Sequence, residues 1–270
     1  MMAARNNADL YEAVFAAHGL RYVRDASAFR AVDPPPPFYS PMTLCAPVAD
    51  ADLTALRAWL HKTAGRVVGF KDSFRQLPRN TPGLTSLFDA KWVWRAPQPS
   101  ATRWVRVRTP QMLIAWEEAW KAGGSATAQR MFPETLLDHP KFGFFASVAE
   151  GTINAGCITN LSPDCVGLSN VFAQTTDTDV FKRAAEAAGS LARHLPIVSY
   201  DRGDALRALL KADFQECGGL RVWIQNINQT RVPNKTQMFS KRCVKERGPC
   251  FNNLADARIR YQINQICLIL

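Results

Sequence analysis

Side chains able to do covalent, metal or acid–base chemistry are scattered along this 270-residue sequence, and their spacing decides which chemistry is open. The four histidines (His18, His61, His139, His194) lie far apart, and none stands at i, i+4 from another ligand type in a zinc-like motif. The seven cysteines (Cys45, Cys157, Cys165, Cys217, Cys243, Cys250, Cys267) form no C-x-x-C pair, and an odd number in a chain this long argues for reduced thiols rather than a disulfide framework. Lys71-Asp72-Ser73-Phe74 gathers an amine, a carboxylate and a hydroxyl. Without a nearby histidine as base, Ser73 reads as a turn or cap residue. Glu117-Glu118 supplies two carboxylates in the pattern of a solvated helix face. Seven tryptophans (Trp59, Trp92, Trp94, Trp104, Trp116, Trp120, Trp223) suit stacking on bases or sugars, but they fall where strands and helices would turn them into a core.

Those residues need a scaffold. With 47% hydrophobic and 21% charged residues the chain has the apolar content of a globular core, and its length suits one large or two modest domains. Arg5, Asn6, Asn7 and Asp9 interrupt the place where a signal peptide would be apolar, and no window reaches the roughly 18 apolar residues of a membrane span, so a cytosolic protein is expected. The net charge of +10 is unevenly placed: between Asn226 and Leu270 eight Lys and Arg face two Asp and Glu, leaving only +4 for the first 225 residues. Nucleic acid is therefore expected to bind, if at all, only weakly through this basic tail.

Residues 1–100 read as a smaller α/β region: a helix at Asp9 to His18 capped by Asp9, a rigid Pro34-Pro35-Pro36-Pro37 connector, a strand at Met42 to Ala46, a helix at Asp50 to Lys62, and strands at Val67 to Phe70 and Ala90 to Arg95. Arg95-Ala96-Pro97-Gln98-Pro99-Ser100 has linker composition, and a second unit is expected over 101–225, followed by a poorly packed tail over 226–270. In the second unit, Arg103 to Val107 alternates as a strand and Thr109-Pro110 opens a helix over Gln111 to Lys121. Glu150-Gly151 turns a hairpin between strands at Gly143 to Ala149 and Thr152 to Asn160, and Cys165 to Ala173 adds a third strand. A helix from about Val180 to His194, a strand at Pro196 to Tyr200, a helix at Ala205 to Lys211 and a strand at Leu220 to Ile224 complete it. The expected fold class is α/β (α+β), with a mixed, mostly antiparallel central sheet in the order β-α-β-β-β-α-β-α-β.

Two stretches, FGFFASVAEGTINAGCITNLSPDCVGLSNVFA and PIVSYDRGDALRALLKADFQECGGLRVW, resemble the central strands and the closing strand-helix-strand of the GNAT superfamily of acyl-CoA N-acyltransferases. The resemblance covers roughly 120 residues by pattern, and the first 100 read as a partial or degenerate GNAT-like half. It implies an acyl group, acetyl from acetyl-CoA, moved to a small-molecule or peptide amine, with no membrane partner. It also implies that the third and fourth strands of these stretches splay apart. The pantetheine arm would then lie beside Val171, Phe172 and Ala173, and the pyrophosphate on Gln174, Thr175 and Thr176 at the mouth of the next helix.

The chain departs from the family's pattern twice. Gln174-Thr175-Thr176-Asp177-Thr178-Asp179 has no glycine where members carry R/Q-x-x-G-x-G/A, so the turn is degenerate, and its two aspartates oppose an anion. Aligning Asp213-Phe214 with the family's Gly-Phe pair puts Leu209 at the position of the usual tyrosine acid. By the same resemblance Asp201 becomes the candidate base and Tyr200 the candidate acid, with Ser169 and Asn170 available to orient substrate. Against those roles stand an Asp201 pair with Arg202 or Arg221 and a Tyr200 that merely packs. The alternative reading is an inactive GNAT-fold binding or scaffolding protein.

Overall fold

The computed structural model describes residues 1–62, 69–98, 101–175 and 177–225. The strand Val67 to Phe70 lies partly outside them, and Thr176 and the tail from residue 226 wholly so. In chain order the elements are α1 (Met2–Ala17), β1 (Tyr22–Arg24), β2 (Ala28–Ala31), β3 (Met42–Leu44), α2 (Asp50–Lys62), β4 (Gly69–Asp72), β5 (Leu84–Arg95) and β6 (Val105–Arg106). They continue with α3 (Pro110–Ala122), β7 (Phe142–Ala149), β8 (Thr152–Leu161), β9 (Val166–Ala173), α4 (Val180–Leu191), β10 (Ile197–Asp201), α5 (Gly203–Lys211) and β11 (Gln215–Gln225).

Local signals account for the second unit. Thr109 accepts a hydrogen bond from the Met112 N–H at 3.2 Å and Pro110 stands at the first turn, so α3 starts where a side chain satisfies a free donor. Glu150 and Gly151, at φ 51° and 76°, make the tight turn between β7 and β8. Asp213 takes the left-handed conformation, φ 64°, just before buried Phe214.

The first unit begins earlier than its pattern suggests. α1 runs from Met2 instead of Asp9, and Asp9 lies inside the helix, paired with Arg24 at 2.6 Å, instead of capping it. Asparagine is a poor helix residue, and here tertiary bonds override that preference. The Asn6 amide donates to the Asn160 carbonyl at 3.1 Å and to Ser162 Oγ at 2.9 Å, while the Asn160 amide returns a bond to the Asn6 carbonyl at 3.0 Å. Gly167 leaves the space for this clamp, since a Cβ there would overlap both asparagine side-chain oxygens.

Among the described residues eleven strands form one mixed sheet, ordered β1-β2-β3-β4-β11-β5-β10-β9-β8-β7-β6. Only β3/β4 and β9/β10 pair parallel; the rest are antiparallel. The division near residue 100 separates two halves in sequence but not in the sheet, because β11 lies between β4 and β5, and β5 between β11 and β10. A pseudo-two-fold runs through the β5/β11 pair at Ala90↔Leu220. It carries β3-α2-β4 onto β9-α4-β10, both parallel crossovers, and matches a bulge at Leu87 with one at Cys217. Because Asp72 pairs with Arg221 and Asp201 with Lys91, it also places Asp72 on Asp201 and Lys71 on Tyr200. The first half thus has the topology of a reduced copy of the second.

Helices α1 and α3 cover one face through a core of Phe15, Phe29, Trp116, Trp120, Phe132 and Phe144. Helices α4 and α5 cover the other, through Val166, Leu168, Ala184, Ala188 and Leu209. Most of the tryptophans are core residues, with Trp116, Trp120 and Trp223 fully buried. Glu117 is not on a solvated face. It is buried, and its carboxylate accepts the N–H groups of Met131 at 2.8 Å and Phe132 at 3.2 Å with Lys121 at 3.2 Å. A loop folded over α3 converts that exposed pattern into a buried anchor.

Candidate active site

β9 and β10 share only two pairs, Ile197↔Val166 and Val198↔Gly167. Beyond them the strands diverge. Ser199 Oγ donates to the Leu168 carbonyl at 2.8 Å, capping the last polar group at the apex of the wedge. On its other side β9 carries a bulge: Gly156 faces Phe172 and Ile158 faces Ser169, so Cys157 opposes both Asn170 and Val171. Asn170 absorbs the extra residue at φ 51°, a conformation asparagine tolerates better than most side chains. It is the point where β9 bends away.

The wedge opens into a cavity of about 360 Å³. Ser169 to Phe172 of β9 and Ser199, Tyr200 and Asp201 of β10 line it, with Gly123 and Gly124 after α3. Asn6, Asn7, Tyr39 and Trp92, all from the first half, line it as well. Of the residues the resemblance points to, Val171, Phe172, Tyr200 and Asp201 therefore share one cavity. Ala173 pairs with Ala155 further along β9, while Gln174 and Thr175 stand exposed after it. The Gln174 N–H is spent on the Asn154 carbonyl at 2.8 Å, and its side chain donates to Ala119.

Charge at the mouth is partly neutralised. Asp177 pairs with Arg183 and accepts the Asp179 N–H at 3.0 Å, so one of the two aspartates is held by a cation and by the helix start. Asp179 stands exposed at the N-cap of α4.

Among the described residues Asp201 accepts only its neighbour's main chain, the Arg202 N–H at 2.8 Å; Arg221 is taken by Asp89 at 2.6 Å. Burial therefore dominates and pushes the Asp201 carboxyl up to about 7, with Arg202 offsetting it in part. Tyr200 packs edge-on against Trp92, ring centres 5.1 Å apart, and accepts a hydrogen bond from Lys71 Nζ at 2.9 Å. Burial raises its phenol pKa, and Lys71 works in the opposite direction. Leu209, at the usual tyrosine position, is fully buried against the α4 side and supplies no acid.

The sequence assigned no role in this site to Asn6, Asn7 or Tyr39, and it marked Trp92 only among the tryptophans suited to a core and Lys71 only within the Lys71-Asp72-Ser73-Phe74 cluster. For Asn6 and Asn7 the one local signal was their place among Ala3, Ala4 and Ala8, small residues that let a helix approach a sheet closely. Asp72 and Ser73 have structural roles. Buried Asp72 accepts the N–H groups of Phe74, Gln76 and Leu77 at 2.9 to 3.2 Å, and the Ser73 carbonyl accepts Trp92 Nε1–H at 2.8 Å. Among the described residues no group of three or more His, Cys, Asp and Glu is placed to hold a metal, and no helix is long and apolar enough to cross a membrane.

A mixed sheet with a splayed parallel pair, a crossover helix at its mouth and a closing helix-strand is the GNAT fold. Solved structures share it. A GCN5-related N-acetyltransferase from Kribbella flavida superposes with a TM-score of 0.57 at 12% identity, covering 81% of this chain and 95% of its own. A putative GNAT-family acetyltransferase from Novosphingobium aromaticivorans gives 0.51 at 15%, covering 83% and 98%. One from Sphaerobacter thermophilus, also GCN5-related, gives 0.50 at 12%, covering 84% and 90%. No family model and no curated protein matches the sequence.

Proposed function

We propose that the protein is an N-acyltransferase that moves an acyl group, acetyl from acetyl-CoA, to a small-molecule or peptide amine. The carrying observation is the splayed β9/β10 wedge, whose cavity brings Tyr200 and Asp201 to the open edge of β9. A pantetheine arm is an amide-rich extended chain, and the edge at Ser169 to Val171 offers it main-chain groups of a bulged strand. The acyl end would then point past Tyr200 toward α1. Asp201, with a carboxyl titrating near neutrality, takes a proton from the amine as it attacks the thioester carbonyl, and Tyr200 gives one to the departing sulfur. The first half lines the cavity with neutral amides and aromatic rings (Asn6, Asn7, Tyr39, Trp92), a surface suited to an uncharged acceptor nitrogen.

A second reading, a CoA-binding module without turnover, is favoured by the turn after β9. There the absence of glycine and the committed Gln174 N–H leave fewer donors for a diphosphate. Thermal denaturation with saturating acetyl-CoA, and separately with CoA, tests the shared part: binding at 100 times Kd adds about 2.7 kcal/mol of stability. Thiol release across a panel of amines then separates the readings. Stabilisation with release supports the enzyme, stabilisation without release on any amine supports the module, and no stabilisation removes both.

A further inference from the structure

We infer that Lys71, contributed by the first half of the chain, is a positioning residue that fixes Tyr200 as a proton donor, so that the acyl-transfer site is complete only across the pseudo-dyad. This rests on the acyltransferase reading above.

Lys71 is 2% exposed, on β4, with its ammonium between α1 and β10. Nζ stands 3.0 Å from Asn7 Oδ1 and 2.9 Å from the Tyr200 hydroxyl oxygen, and lies 5.0 Å from the Tyr11 ring centre. Every described partner of this ammonium is neutral, so no carboxylate quenches its charge. Although burial opposes that charge, the phenolic oxygens of Tyr11 and Tyr200 hold the proton, and the lysine pKa lies above its ordinary value.

The direction of the hydrogen bond follows. An ammonium has three donors and no acceptor, so Lys71 donates and the Tyr200 oxygen accepts. The phenol's own hydrogen is thereby left to point away from Lys71, and among the described residues it has no acceptor. Tyr200 lines the cavity, where a ligand atom can take that role; Lys71 does not line it and acts from behind. Trp92 restricts the ring on one side and its own Nε1–H is held by the Ser73 carbonyl, so the phenol has little freedom to turn.

The charge assists the same step. As the C–S bond of the thioester breaks, the sulfur's electron pair takes the Tyr200 proton, giving a free thiol and a phenolate. Lys71 stabilises that phenolate, and the proton Asp201 removed from the amine returns to the phenolate through cavity water, restoring both groups. Lys71 and Tyr200 occupy pseudo-equivalent positions on β4 and β10. In the first half the pairing runs further toward the place equivalent to the wedge. There β3/β4 pairing extends to Thr43↔Lys71, Asp72 is capped by three N–H groups, and the Gln76 amide bonds both the N–H and the carbonyl of Val48 at 2.9 and 2.8 Å. A side-chain amide of the protein thus fills the kind of place a ligand amide would take, and the residue left over from the closed copy serves the open one.

The test compares the full-length wild type with K71M, K71R, Y200F and K71M/Y200F. On an amine that supports turnover, K71M is expected to lower kcat by on the order of 10 to 100-fold with KM for acetyl-CoA unchanged, K71R to recover part of it, and the double variant to be no slower than Y200F. Tyrosinate absorbance during alkaline titration, taken as the difference between a protein and its Y200F counterpart, is expected to show Tyr200 ionising about one unit or more higher in K71M than in wild type. Additive losses in the double variant, or an unchanged Tyr200 titration in a folded K71M, would overturn the assignment. The titration needs no substrate, so it reads the Lys71–Tyr200 pair even if no amine is ever acylated, an outcome that would defeat only the transferase reading.

Discussion

Asp201 is the group whose titration should be easiest to see. Burial, not a cation, sets its carboxyl, pushing it from the ordinary aspartate range up to about 7. As a base it must be ionised, so the rate of acyl transfer should rise with pH through about 7 and level above it. D201N should remove that limb and lower kcat by on the order of 10² to 10⁴-fold. Stability should move oppositely. A raised folded-state pKa means the folded chain holds the proton that the unfolded chain has lost, so the contribution is full below about pH 4 and fades as pH climbs to about 7. Replacing the acid by the neutral amide should flatten this slope and add on the order of 1–3 kcal/mol at pH 8 in urea unfolding. A flat rate profile in wild type, or a D201N protein with unchanged slope in stability, would remove Asp201 from both roles. Tyr200 and Asp201 were reached through the resemblance, which puts the acceptor amine near the C-terminal end of the strand they close. Lys71 was visible only as a residue type, since nothing nearby in sequence announces a partner 129 positions away.

At the scale of elements, what the sequence showed well was whatever its own neighbours determine. The α3 cap at Thr109-Pro110, the Glu150-Gly151 hairpin and the bounds of α2 depend on backbone donors, positive φ and apolar spacing within a few residues. The start of α1 depends instead on Asn160 and Ser162, over 150 residues on, so the pattern placed the helix start at Asp9, after Asn6 and Asn7. The same dependence makes a test. Gly167→Ala would drive a methyl into Asn6 Oδ1 and Asn160 Oδ1, both buried in the clamp with little room to retreat. It should cost about 2–4 kcal/mol in chemical denaturation, combining overlap with lost hydrogen bonds. Gly219→Ala is the control: the three atoms nearest its methyl all belong to the Arg75 side chain, whose flexible end can swing aside, and it should cost less than about 1 kcal/mol. Equal losses at the two positions would mean that α1 is not fastened where the clamp indicates.

For the whole molecule, the feature least available from sequence is the exchange of β5 and β11. Strand patterns announce that a segment is a strand and which face is buried, not which strand it lies beside, and a linker-like Arg95 to Ser100 suggested two units side by side. In the sheet, both neighbours of β11 come from the first hundred residues, and β10 touches its own half through only two pairs with β9. A fragment of residues 101–225 would expose both edges of β11, one edge of β10, and the apolar side chains of Val198, Leu220 and Val222 that Ala3, Ala4 and Trp92 now cover. Unpaired edges beside bare apolar surface are an aggregation template. Expressed alone, that fragment should therefore be insoluble, whereas co-expression with residues 1–98 should return a soluble complex, and the intact chain should melt in a single transition by calorimetry. If 101–225 instead folded as a monomer, or the intact chain melted in two steps, the halves would be separable bodies. The cavity between Ser169 and Tyr200 would then have to form without Asn7, Trp92 and Lys71, and the composite site argued from those three residues would have no basis.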